Sequence, residues 1–108
     1  MLYRVILSHN QTENIRRFPH DQQTVFVFDA PTADDIKECE AIGCRYVVMP
    51  SAGHRGMNRN TGLQYILDTF SPSYDDYVEF FDGDRYPTEY NIERVLDLMR
   101  GNHIDCML

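Results

Sequence analysis

The sequence predicts an α/β sandwich with a mostly parallel sheet, in one domain covering residues 1–108. Three observations predict it. Short apolar runs alternate with stretches of helical periodicity. The run Thr24 to Phe28 (TVFVF) is apolar at consecutive positions, which suits a strand covered on both faces. Glycines and prolines punctuate these segments regularly, with no internal repeat or low-complexity tract.

Taken in order, Leu2 to Ser8 (LYRVILS) reads as the first strand. The polar stretch HNQTENIRRF has room for one or two helical turns before Pro19, and Thr24 to Phe28 follows as the second strand. Thr32 is placed to cap a helix with Asp34 and Asp35 in its first turn, where carboxylates favour the helix dipole. Ile36, Cys39 and Ile42 give that helix an apolar face, and Gly43 stops it. Arg45 to Met49 is a third strand, and Pro50 to Met57 reads as a loop with two glycines. A helix is expected from about Asn58 to Phe70, with Leu63, Ile66, Leu67 and Phe70 on one face. Gly62 inside it costs about 1 kcal/mol relative to alanine, which points to close packing. Tyr77 to Phe81 is a fourth strand running into Asp82-Gly83-Asp84. Pro87 and Thr88 open a last helix with Ile92, Val95, Leu96 and Met99 as its stripe and Gly101 as its end. Ile104 to Leu108 starts a fifth strand.

Composition narrows the function. Hydrophobic residues at 43% and charged residues at 25% allow a real core and exclude global disorder. No apolar run approaches a membrane span and the N-terminus lacks signal-peptide character, so an intracellular, cytoplasmic setting is expected. A net charge of −7 argues against binding nucleic acid through its phosphates. Cys39, Cys44 and Cys106 are odd in number and lack CxxC spacing, which argues against structural zinc and a disulfide framework.

Parallel strands place their C-terminal ends on one edge, where ligands bind in such sheets. The residues there carry the chemistry. Asp82 and Asp84, separated by one glycine after a strand, can aim two carboxylates at one point, and hard divalent cations such as Mg²⁺ and Mn²⁺ take such ligands. Residues 75 to 89 hold Asp75, Asp76, Glu79, Asp82, Asp84 and Glu89 against Arg85 alone, so a diphosphate arriving there needs a cation. The tripeptide equally fits an Asp/Gly-rich turn. Arg55 and Arg59, with His54, lie near a helix N-terminus and can receive an anion or form a solvated basic loop. Asp29 follows the buried second strand and can accept from a base or ribose, or cap the turn before Pro31-Thr32. His9 follows the first strand and can touch a ligand; His20 and His103 read as surface residues. No GxGxxG, GxxxxGK[ST] or GxSxG is present.

In this order the segments resemble the N-terminal half of a glycosyltransferase of the GT-A fold. The likeness is to the inverting family that includes bacterial polysaccharide and cellulose-type synthases. Ser8-His9 matches the end of its first strand, and VFVFDAPTADD supplies Asp29 with Ala30-Pro31-Thr32 in place of the family's Gly-Ser. Arg59-Asn60-Thr61-Gly62-Leu63 matches its Arg-Asn-x-Gly helix start, and FFDGDRYP its Asp-x-Asp motif. The resemblance covers nearly the whole chain and implies a Rossmann-like three-layer sandwich of truncated GT-A type. It implies a nucleoside-diphosphate sugar, with uridine as the usual base, held by Ser8, His9, Asp29, Arg55, Arg59, Asp82 and Gly83. It also implies Mn²⁺ or Mg²⁺ on Asp82 and Asp84. The segment between the first two strands is short for a full helix. The chain ends where the family's acceptor half begins, and no residue is assigned as catalytic base. A non-catalytic nucleotide-binding module needing a partner chain, or a second copy, to cover an open sheet edge is the alternative. A phosphorylated-aspartate transferase fits less well, because its Asp-x-Asp pair belongs after the first strand.

Overall fold

The computed structural model describes residues 1–9, 12–18, 20–49, 55–73, 75–83 and 92–101. The elements are β1 (Leu2–Ser8), a 3-10 segment (Thr12–Arg17), β2 (Thr24–Asp29), α1 (Ala33–Ile42), β3 (Arg45–Met49), α2 (Arg55–Phe70), β4 (Tyr77–Asp82) and α3 (Ile92–Gly101). The strands form one sheet in the order β3-β2-β1-β4, and every pairing is parallel. The expected α/β class is therefore the observed one.

Both faces of the sheet are covered. On one face Ile6, Phe26 and Phe28 pack with Ile15 and Phe18 of the 3-10 segment and its flank, and with Cys39 of α1. Phe26 and Phe28 stack at 5.8 Å between ring centroids. On the other face Tyr3, Val5, Val25 and Val27 pack with Ile66 of α2. Every residue of β2 is buried, as its unbroken apolar run requires. Each fully buried Phe or Val contributes roughly 1.5–3 kcal/mol. Away from the C-terminal edge, Arg4 ties β1 to β4 and to the turn before β2 by donating to Asp21 at 2.7 Å and to Glu79 at 2.8 Å.

The α1 start is a capping box. The Thr32 hydroxyl accepts from the Asp35 N–H, and the Asp35 carboxylate accepts from the Thr32 N–H. Gly43 ends the helix in the left-handed region at φ 76°. Cys39 and Cys44 are free thiols, and burial pushes Cys39 up to about 12.

Three boundaries differ from the sequence expectation. Strands β2 and β4 each run one residue further, to Asp29 and Asp82. The ladder continues because Ala30 N–H donates to Met49 O and Gly83 N–H to Leu7 O. Helix α2 starts at Arg55 rather than near Asn58, taking Gly56 into its first turn, where N–H groups lack intrahelical acceptors anyway. Its apolar face is also rotated: Ile66 is fully buried, but Leu67 is 46% exposed. Gly62 explains the rotation, because it lets α2 settle directly on Val5 and Val27. The expected helix start at Pro87-Thr88 and the strand at Ile104 to Leu108 lie outside the described residues.

A Cβ at position 62 would overlap the Val5 side chain and lie 3.0 Å from Val27. Gly62→Ala is therefore expected to lower stability by about 1–3 kcal/mol, against the usual helix preference for alanine. A urea unfolding midpoint at or above wild type would remove the close-packing argument.

Candidate functional site

The order β3-β2-β1-β4 has one consequence for ligands. The chain steps from β1 outward to β2 and β3, then returns to place β4 on the other side of β1. The switch point lies between the C-terminal ends of β1 and β4, the usual position of a ligand crevice in an open parallel sheet.

Ser8 and His9 stand at the end of β1, and Asp82 and Gly83 at the end of β4. Leu7 is in register with Asp82, so the two strand ends leave the sheet together. The Gly83 N–H donates to Leu7 O at 2.6 Å, and the Asn14 side chain donates to Gly83 O at 3.0 Å. Ser8 is buried, and Asp82 is partly exposed.

One strand over, Asp29 ends β2 with 8% of its surface exposed. The His9 ring Nδ1 is 2.8 Å from the Asp29 carbonyl oxygen. A carbonyl only accepts, so Nδ1 carries the hydrogen, and in the neutral ring Nε2 is then the acceptor nitrogen. On the α2 side, the Asn58 amide donates to Asp29 Oδ2 in a long bond of 3.5 Å. Asn58 Oδ1 is closed to solvent and has no hydrogen-bond partner among the described residues. Such an acceptor is destabilising by about 1–3 kcal/mol until a donor reaches it.

Helix α2 follows β3, so its N-terminus, whose first backbone N–H groups have no intrahelical acceptors, lies on this same edge. Arg55 opens that helix; its side chain lies outside the described residues. Arg59 is on the exposed side of α2, one position past Asn58. Asp84 and Pro50 to His54 also lie outside the described residues.

The acidic β4 strand disposes of its charges unevenly. Asp76 accepts from the Met1 amine at 2.7 Å, and this hydrogen bond holds its carboxyl below the usual range. Glu79 is paired with Arg4. Asp82 has no ion-pair partner among the described residues. Nor do three or more His, Cys, Asp or Glu side chains converge on a metal-sized point among them. Of the expected metal pair, the described structure therefore supplies one carboxylate, Asp82, in a place a cation can reach.

The structure thus brings Ser8, His9, Asp29, Asp82, Gly83 and the α2 N-terminus to one edge, and leaves Arg59 facing solvent. Sequence reasoning missed Asn14 and Asn58. Asn58 had a usable signal, because Asn58, Gly62 and Ile66 fall at i, i+4 and i+8, on the stripe that Gly62 marks as closely packed. Asn14 had none beyond adjacency to Ile15. The chain matches no protein-family model, no curated protein and no solved structure.

Ala30, directly after Asp29, sits at φ 45°, in the left-handed region. This conformation is unfavourable by about 1–2 kcal/mol for a residue with a Cβ. Ala30→Gly is expected to raise stability by about 0.5–1 kcal/mol after the added unfolded-state entropy. Thermal unfolding checks this, and a lower midpoint would count against strain at the turn.

Proposed function

We propose that the chain is a glycosyltransferase, or the donor-binding half of one, acting in the cytoplasm on a nucleoside-diphosphate sugar. One observation supports the reading: the parallel order β3-β2-β1-β4 gathers Ser8, His9, Asp29, Asp82 and Gly83 on one edge around a switch point. Those are the positions that the sequence resemblance assigns to the nucleotide.

Asp29 accepts an N–H of the base or an O–H of the ribose, with His9 fixing the peptide that carries it. The N–H groups of the α2 first turn lie where a phosphate oxygen can be received. Asp82 is held at the strand end to meet the ribose or a cation. Mn²⁺ or Mg²⁺ fits the chemistry of Asp82 and Asp84, since both offer hard carboxylate oxygens. When bound, such an ion supplies Lewis-acid stabilisation of the charge on the departing nucleoside diphosphate. The acidic stretch around Asp82 repels a bare diphosphate, so binding is coupled to the cation.

A second reading has its own observation. Among the described residues β4 pairs only with β1, and Phe80 on it is 40% exposed. An open edge of this kind favours a binding module completed by a partner chain or second copy. No described helix is long and apolar enough to cross a membrane.

Calorimetric titration of UDP, GDP and CDP, each with and without Mn²⁺, tests the proposal. One nucleotide is expected to bind in a Mn²⁺-dependent manner, and Asp82→Asn and Asp84→Ala to weaken it by about tenfold or more. Absence of binding, or binding indifferent to metal and to both substitutions, would overturn it. Release of the nucleoside diphosphate from its sugar conjugate separates the enzyme from the binding module.

A further inference from the structure

We propose that Asn14 is a positioning residue for the acidic turn at the end of β4, a role that rests on the metal-dependent nucleotide reading above. Asn14 lies in the 3-10 segment between β1 and β2 and is 8% exposed. Its side chain donates to Gly83 O across 69 positions of sequence. The Gly83 N–H is meanwhile held by Leu7 O.

These two bonds act on different peptide planes. The Gly83 N–H belongs to the plane shared with Asp82, and β1 fixes it as the last rung of the ladder. The Gly83 carbonyl belongs to the plane that leads onward from Gly83, and Asn14 fixes that one. Glycine has the widest backbone freedom of any residue, so without both restraints the turn would sample many directions. Asn14 holds the Gly83 carbonyl, and with it the end of β4 that carries the Asp82 carboxylate. Small Mg²⁺-like cations demand near-ideal geometry at about 2.0–2.1 Å, so a loosened turn is felt first in metal binding.

Asn14 is not one of the residues of the apolar cluster on this face. Its neighbour Ile15 is 1% exposed and Phe18 is 3% exposed, and these two anchor the segment in the core. The short 3-10 connection also makes sense on this view. It carries a polar side chain from the β1–β2 crossover over the end of β1 to the turn on β4.

The test uses Asn14→Asp, which keeps the shape and removes the donor, and Asn14→Ser, which keeps a shorter donor. Asp21→Asn serves as the control, because Asp21 bonds Arg4 away from the site. Each variant is titrated with UDP, GDP and CDP in the presence and absence of Mn²⁺, with thermal unfolding alongside. Asn14→Asp is expected to weaken the Mn²⁺-dependent binding by about tenfold or more while metal-free binding is unchanged. Asn14→Ser is expected to recover part of the loss, and Asp21→Asn to keep the full Mn²⁺ dependence at reduced stability. If Asn14→Asp does not fold, Asn14→Ser against Asp21→Asn decides the matter by the same comparison. The proposal is overturned if Asn14 variants bind as wild type does, or if they lose metal-free and metal-dependent binding equally. Wild-type protein without Mn²⁺-dependent binding overturns the nucleotide reading and this role with it. Wild-type binding that the Asn14 variants retain overturns this role alone.

Discussion

Parallel strands cannot be joined by tight turns, and the rest of this structure depends on that constraint. Each strand must be followed by a crossover that carries the chain back to the start of the next. The crossovers need a sheet face to pack on, so both faces are apolar and β2, inside the sheet, is buried at every position. The same constraint delivers every strand end to one edge. Ser8, His9, Asp29, Asp82 and Gly83 meet there, at the ends of β1, β2 and β4. The site follows from how the sheet is connected rather than being added to it.

Close packing on the α2 side illustrates how a single residue transmits this constraint. Gly62 allows the helix to rest on Val5 and Val27, and that approach brings Asn58, one turn earlier, against Asp29. The depth at which α2 sits and the partner of the Asp29 carboxylate are thus one decision. At the end of β2 the chain then turns through Ala30 at a positive φ, where glycine would be relaxed. The strain is tolerated because the turn is fixed on both sides, by Ala30 N–H to Met49 O and by His9 to Asp29 O.

Much of this was legible in the sequence, for local reasons. The strands β1 and β3 end where their apolar runs end, and Thr32, Asp35 and Gly43 bound α1 by side-chain and backbone chemistry confined to a few residues. The start of α2 was not legible, because Gly56 reads as a loop residue unless its place in the first turn is known. The sheet order was not legible either, since it is set by pairings between distant strands. Asn14 went unread because a buried polar residue inside a polar segment breaks no pattern, and the stripe that Asn58 shares with Gly62 and Ile66 marks its face but not its partner. Their importance comes from partners 69 and 29 positions away, and periodicity carries no information at that range.

The distribution of charge along β4 completes the argument. A strand with acidic residues before, within and after it would repel itself unless those charges were neutralised. The fold neutralises them in sequence. Asp76 meets the Met1 amine, and Glu79 meets Arg4, which also holds Asp21. Both neutralising groups come from β1 or its leading residue, because β1 lies beside β4 in register from Leu2↔Tyr77 to Leu7↔Asp82. At the last rung β1 offers Leu7 and then Ser8, and no cation. Among the described residues Asp82 therefore has no such ion-pair partner, and it stands at the edge where the strand ends gather.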